Sequence, residues 1–129
     1  MSTPIIKHEP PSHPADDPGH PIPSLAALDV VTILRDGGAD LFIIVASPLA
    51  ADHYSLSRLQ DKIEGYLIHI QSAEFQAEAG APTPNSTTIK VLLHPSSSPE
   101  AYDFLDRSKG WVLANHATLK VEQLDLAVH

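Results

Sequence analysis

The stretch "LQDKIEGYLIHIQS", residues 59–72, is the most regular part of this 129-residue chain. Apolar side chains recur in it at steps of three and four residues, which places them along one side of an α-helix. The pattern continues in both directions and predicts a single helix over residues 54–76. We expect the apolar side to be core and the polar side chains of Gln60, Lys62 and Glu64 to form a solvated face.

Two strand-like runs joined by a tight turn precede this helix. They form "LDVVTILRDGGADLFIIVAS", residues 28–47, in which β-branched and apolar residues flank Asp36, Gly37 and Gly38. Glycine supplies the positive φ that a tight hairpin turn requires. The stretch therefore predicts a β-hairpin whose second strand ends before Pro48.

Two further strands and one further helix follow the central helix. Residues 87–94, "TTIKVLLH", alternate as a strand does, and Ser98 with Pro99 then marks the start of a helix that runs to about Asn115. Residues 117–124, "ATLKVEQL", predict the last strand. The predicted order is ββαβαβ. The predicted fold is α+β, a two-layer sandwich in which a four-stranded mixed sheet carries two helices on one face.

The first 24 residues differ in composition from the rest of the chain. They hold seven of the twelve prolines together with His8, His13 and His20. Because proline disfavours helices and central strands, we expect residues 1–24 to be a flexible arm and residues 25–129 to be a single domain. The arm is expected to be dispensable for folding, and its histidines lack the fixed spacing of a structural metal site. Only three isoleucines are available to dock it: Ile5, Ile6 and Ile22.

Composition and charge argue against several classes of function. The formal net charge is −8, and the eight Lys and Arg residues are scattered, so no basic patch is present for nucleic acid or an anionic membrane surface. The longest apolar run, "LFIIVA", has six residues, whereas a membrane span needs roughly 20. The chain has no cysteine and no signal-peptide pattern, and we expect a cytoplasmic protein.

The helix and the hairpin before it resemble a family of small bacterial proteins catalogued as a domain of unknown function. The shared features are the pattern LQ-x-K-[IL]-x-x-Y-L-x-x-I-x-S, here residues 59–72, and the order ββαβαβ. The resemblance spans residues 27–124 and implies this fold in a bacterial cytoplasm. It supplies no activity and no catalytic residues. Ser47 and Pro48 stand where the resemblance implies an acidic residue followed by a histidine.

Asp52 and His53 are the residues that come nearest to a catalytic motif. A carboxylate beside an imidazole can orient it as a general base, and Ser55 and Ser57 are close in sequence. Asp52 at a helix start is, however, explained by capping, and a catalytic triad is assembled in space rather than in sequence. We therefore predict no catalytic, cofactor or metal residues. A small hydrolase or ligand-binding enzyme that uses Asp52, His53 and His94 is the alternative function.

The strands carry more apolar residues than one face of a sheet needs. The phase predicted to face the helices holds Leu28, Val30, Leu41, Ile43 and Val45. The opposite phase is the predicted interface and holds Val31, Ile33, Phe42, Ile44 and Leu92. Because an exposed apolar patch usually marks an interface, we predict a non-enzymatic interaction module that acts as a homodimer through the sheet face. The arm or an unidentified protein partner are the other possible covers.

Overall fold

The structure is a computed structural model in which residues 16–125 are described. The elements are β1 (Val30–Ile33), β2 (Ala39–Val45), α1 (His53–Ile70), α2 (Ala73–Ala79), β3 (Thr87–Leu93), α3 (Pro99–Ala114) and β4 (Thr118–Gln123). The α+β class, the hairpin and the four-stranded mixed sheet are confirmed. The order within the described residues is ββααβαβ, so the predicted order ββαβαβ lacked one helix.

The predicted central helix is interrupted by a serine cap. Ser72 adopts an extended conformation, with φ −75° and ψ 153°, and its hydroxyl accepts a hydrogen bond from the Phe75 N–H at 3.2 Å. A side chain that bonds the backbone locally in this way competes with continuation of a helix and starts a new one. Phe75 is nevertheless buried, so the apolar periodicity passes through the break. Periodicity alone therefore predicted one helix where two exist.

The four strands lie in sequence order across the sheet. β1 pairs antiparallel with β2, while β2 with β3 and β3 with β4 are parallel pairs. Parallel neighbours need long crossover connections, and these are supplied by α1 with α2 and by α3. α3 begins as predicted, with Ser98 as its N-cap and Pro99 in its first turn. No helix of the described residues is long and apolar enough to cross a membrane.

One phase of the strands forms the core. Leu41, Ile43, Ile89 and Val91 are each at most 1% exposed, and they belong to one apolar cluster with the buried positions of the three helices. We call this side of the sheet the core face. The other side, the outer face, is centred on four half-buried side chains: Phe42, Ile44, Lys90 and Leu92.

The first strand has the opposite phase to the one predicted. Val31 lies opposite Leu41, and Val30 lies opposite Phe42. Directly opposed residues of an antiparallel pair point to the same face, so Val31 and Ile33 belong to the core face and Val30 to the outer face. The length of the hairpin loop sets this register, and a difference of one residue reverses every side chain. The predicted interface set was therefore wrong about the face of its two β1 members.

The tip of the hairpin is packed against the second half of the chain. Gly38 has a φ of +88°, and its N–H donates to the Ala79 carbonyl oxygen at 2.7 Å. A Cβ atom at this position would collide with the Ser86 carbonyl oxygen. Glycine is therefore required here both for its positive φ and for its lack of a side chain.

The predicted arm falls into two parts. Residues 1–15 lie outside the described residues, as do residues 126–129 of the predicted domain. Residues 16–24 pack on the fold: Asp16 and Ser24 form an antiparallel bridge, and Ile22 is 2% exposed within the core cluster. The segment before residue 25 thus contributes to the core.

Candidate functional site

A row of polar side chains follows one side of α1 at steps of three and four residues. It consists of Ser55, Arg58, Lys62 and Tyr66, and none of the four is more than 5% exposed. We call this row the polar stripe. The expectation that Lys62 belongs to a solvated face was wrong, whereas Gln60 is exposed as expected.

Lys62 holds the chain segment that leads into β1. Its Nζ donates to the carbonyl oxygens of Ser24 at 2.6 Å and Ala27 at 2.7 Å, and to Asp29 Oδ1 at 3.0 Å. Each of the three ammonium hydrogens therefore has an acceptor. The second oxygen of Asp29 accepts from the Ile44 N–H at 2.9 Å, which links the ion pair to β2. A cation can be buried this deeply because it is fully paired.

Arg58 and Tyr66 extend the same attachment toward both ends of the stripe. Nε and Nη2 of Arg58 donate to the Ile22 carbonyl oxygen at 2.9 and 2.6 Å. The Tyr66 hydroxyl donates to the Phe42 carbonyl oxygen at 2.6 Å and accepts from the Asp29 N–H at 2.9 Å. Burial raises the pKa of Tyr66, so its hydroxyl keeps the proton that it donates. The polar stripe thus joins residues 22–29 to α1 by hydrogen bonds to backbone atoms.

A histidine, a serine and an aspartate meet at the start of α1. His20 Nε2 lies 2.9 Å from Ser55 Oγ, and Ser55 Oγ donates to Asp52 Oδ1 at 2.7 Å. Histidine, serine and aspartate are the residue types of a hydrolase triad. The sequence patterns did not predict that His20 joins this group. The direction of the hydrogen bonds decides what the group can do.

The directions of the hydrogen bonds in this group do not suit nucleophilic catalysis, because the histidine donates to the serine. The Ile22 N–H donates to His20 Nδ1 at 2.9 Å, so Nδ1 carries no proton and the ring proton is on Nε2. Nε2 therefore donates to Ser55 and is not free to accept a proton from it. Burial lowers the pKa of His20, which favours this neutral ring, and the bond from Ser55 lowers the pKa of Asp52. We conclude that this group fixes the N-terminal segment to α1.

A second contact holds the same segment. The Tyr54 hydroxyl donates to Asp17 Oδ2, a bond that lowers the pKa of Asp17 and raises that of Tyr54. The ring of His20 stands edge-on to the ring of Tyr54, with centroids 5.2 Å apart. The turn around residues 17–20 is therefore attached to the first turn of α1 at two points.

The residues of the predicted enzyme site are not assembled. Asp52 is the N-cap of α1 and accepts from the Ser55 N–H at 3.1 Å, as predicted. His53 is exposed and its Nε2 lies 3.4 Å from Ser57 Oγ, at the surface and away from Asp52 and His94. Nδ1 of His94 accepts from the Ser96 N–H at 3.0 Å. Within residues 16–125 no group of three His, Cys, Asp or Glu residues is placed to hold a metal ion. This geometry gives the alternative enzymatic function no support.

The outer face brings three of the predicted interface residues together. Ile44 lies beside Leu92 in the parallel register, and Phe42 is the next residue of β2 on the same face. Lys90 lies beside Phe42, with Nζ 5.6 Å from the centroid of the ring and 3.9 Å from Asp40 Oδ2. The result is a half-exposed apolar patch with an ion pair at one end.

A shallow cavity of about 300 Å³ opens on the side of α3 and β4. The Tyr102 hydroxyl in its lining is buried and has no hydrogen-bond partner. Apart from Tyr102 and Val121, the lining consists of charged surface residues, namely Asp103, Asp106 and Lys109. The residues that line the cavity do not form a contact between a nucleophile and a base, which is the arrangement that an active site for nucleophilic catalysis needs.

Comparison with known proteins places the chain in a family. The model of DUF6572, described as a family of unknown function, matches residues 22–125. The chain belongs to this family. No curated protein and no solved structure is detectably similar to it. The part matched by the DUF6572 model contains the whole polar stripe, its carbonyl acceptors from Ile22 onward and all four strands.

The polar stripe of this DUF6572 member is the feature that sequence reasoning missed. A signal for it exists: Arg58, Lys62 and Tyr66 recur at four-residue steps immediately beside the apolar side of the helix. Cations at such spacing are usually solvated, so the pattern alone does not show burial. The contacts of His20 carry no local signal at all, because its partner Ser55 is 35 residues away.

Proposed function

We propose that the protein is a non-enzymatic interaction module that forms a homodimer through the outer face of its sheet. One observation carries the proposal: Phe42, Ile44 and Leu92 form a contiguous apolar patch on the side of the sheet opposite the core. With the helices packed in one layer on the core face, this side of a two-layer sandwich is open. Apolar patches of this kind usually mark protein interfaces.

The charges around the patch suit a second copy of the chain. The outer face carries Asp40 on β2, Lys90 beside Lys120 on β3 and β4, and Glu122 further along β4. A two-fold axis places the same surface against itself, so a face that carries both signs can pair them across the interface. The alternative in which the N-terminal arm covers the outer face is less favoured, because Ile22, one of its three isoleucines, is part of the core. The cytoplasmic setting stays a prediction.

The mass of the protein in solution tests this proposal. We expect sedimentation of the full chain at micromolar concentration to show an assembly larger than the 13.9 kDa chain. Ile44→Lys puts a charge in the patch and should reduce the mass. Ile44→Thr, which keeps a β-branched side chain suited to a strand, should weaken association without loss of the fold.

The control changes an apolar residue of another surface. Leu113 on α3 is 54% exposed, and Leu113→Lys should leave the mass unchanged. A wild-type protein that is monomeric at every concentration would contradict the proposal, as would an equal loss of mass in the Ile44 and Leu113 variants.

A further inference from the structure

β1 is an edge strand with an open side. It lies at one end of the sheet, and no described strand pairs with its outer edge. The Leu34 N–H donates to the Gly38 carbonyl oxygen at 3.0 Å, which shows that even-numbered residues of this strand turn their backbone groups toward β2. Backbone groups alternate along a strand. Val31 and Ile33 therefore direct their N–H and C=O groups to the open edge.

The exposed apolar side chains of the fold are concentrated at this edge. Val30, Ile33 and Leu34 are 43%, 39% and 38% exposed, and they are three of the four large apolar side chains that are exposed among residues 16–125. Edge strands are usually protected by charged residues or proline. Residues 30–34, "VVTIL", contain neither. The opposite edge strand, β4, carries charges within its length, so the lack of protection is specific to β1.

We propose that β1 pairs antiparallel with β1 of a second copy of this chain, about a two-fold axis at Thr32. The two sheets of four strands would then form one continuous sheet of eight. This contact is separate from the outer-face contact and does not depend on it. A protein that used both contacts would assemble beyond a dimer.

The register about Thr32 follows from the sequence of the strand. It sets Val31 opposite Ile33 of the second copy, and both residues have their backbone groups free to exchange hydrogen bonds. It also sets Val30 opposite Leu34, on the outer side. Moving the axis by one residue would oppose Ile33 with Asp29 or Val31 with Arg35, an apolar residue with a charged one.

Charge at the ends of the strand also fits this register. The axis at Thr32 brings Asp29 of each copy level with Arg35 of the other, so no like charges meet at the ends of the paired strands, while the Asp29 carboxylate stays bonded to Lys62 and to the Ile44 N–H. Between them the strand is uncharged, so a copy that meets itself brings no like charges together. A second copy of β1 meets both requirements: its apolar residues lie opposite apolar residues, and no like charges come together.

Disulfide cross-linking tests the pairing and its register together. The chain has no cysteine, so one introduced thiol reports alone. Thr32 would face Thr32 of the second copy in a non-hydrogen-bonded pair with Cα atoms about 4.5 Å apart, within the range of disulfide bridges. We expect Thr32→Cys to form a covalent dimer under mild oxidation at least about tenfold faster than Gln123→Cys on β4, because pairing raises the effective thiol concentration.

A second cysteine variant checks the register. In the proposed pairing the two Val30 positions are four residues apart along the strands, about 13 Å, so Val30→Cys should cross-link slowly with itself. It should cross-link rapidly when mixed with Leu34→Cys. Equal rates for Thr32→Cys and Gln123→Cys would overturn the pairing, and faster reaction of Val30→Cys than of Thr32→Cys would overturn the register.

A charge variant separates this inference from the proposed function. Thr32→Lys sets two lysines opposite each other at the axis and should reduce the mass in sedimentation, while Gln123→Lys should not. If the edge contact is correct, cross-linking of Thr32→Cys persists when Ile44→Lys is added. If only the outer-face contact exists, Ile44→Lys reduces the mass and also abolishes the cross-linking of Thr32→Cys, and the edge inference is wrong.

Discussion

At the scale of single residues, Lys62 is a buried positive charge that is 1% exposed. Its three hydrogen bonds go to groups of the N-terminal segment, two of them backbone carbonyl oxygens and the third the Asp29 carboxylate. We expect Lys62→Met, which keeps much of the volume, to lower the free energy of unfolding by about 3 kcal/mol, because it leaves Asp29 without its cation. Urea unfolding measures the loss.

The control for this variant is a lysine in a less buried ion pair. Lys90 is 26% exposed and lies 3.9 Å from Asp40. Lys90→Met should cost less than about 1 kcal/mol, as surface ion pairs do. If the two variants lose equal stability, the polar stripe has no special part in the fold.

Two glycines give a second matched pair of variants. Gly38 has a positive φ and no room for a Cβ atom, whereas a Cβ atom at Gly110, within α3, would meet no other atom within 4 Å. Gly38→Ala should cost more than about 3 kcal/mol, and Gly110→Ala should add about 1 kcal/mol through helix propensity. Thermal melts of both variants against the wild type check the two signs. A stable Gly38→Ala protein would show that the hairpin tip does not pack as described.

At the scale of elements, the segment before β1 is attached to α1 by apolar and polar contacts together. Ile22→Ala should lower the free energy of unfolding by about 2–4 kcal/mol, since it leaves a cavity in the core. Pro18→Ala, at an exposed position of the same segment, should have little effect. Chemical denaturation of the full chain measures both. Equal stability of the two variants would restore the view that residues 16–24 are a dispensable arm.

The attachment at His20 should depend on pH. Its pKa is lowered from 6.5 by burial, so the unfolded chain binds a proton more readily than the folded one. The stability that His20 contributes is complete above pH 6.5 and is lost as the pH falls through and below this value. We expect unfolding curves between pH 7.5 and about 5 to show this decline, and His20→Gln to lack that part of it. An unchanged pH profile in the variant would contradict the assignment.

At the scale of the whole molecule, short-range patterns predicted the elements, and long-range contacts decided the rest. Alternation, glycine turns and the Ser98 cap were sufficient for four strands, two of the three helices and the α+β class. Ser72 was missed because its cap interrupts a continuous periodicity. Val31 was assigned to the wrong face because loop length, which sets the register, has no clear sequence signal. Ile22 was placed outside the domain because its burial depends on Arg58, which is 36 residues away.

The candidate interface was also predicted in part, because alternation shows the face of β2 and β3 residues but not the register of β1. Phe42, Ile44 and Leu92 lie in strands whose phase follows from simple alternation, and they share the outer face. The two predicted members from β1, Val31 and Ile33, lie on the core face instead. β1 is exposed along its open edge, as the first strand of the sheet. Counting apolar residues shows that a surface exists, but only the strand order shows which strand has an open edge.

The polar stripe also sets an order of events during synthesis. Residues 22–29 leave the ribosome before α1, yet their backbone carbonyl groups find partners only when Arg58 and Lys62 have been made and have become part of a helix. The carbonyl groups of residues 22–29 therefore stay hydrated until a helix some thirty-five residues later in the chain has formed. By contrast, the hairpin is local and can form at once. The hairpin nevertheless keeps one edge of β2 unpaired until β3 has been translated, because β3 is the parallel neighbour of β2.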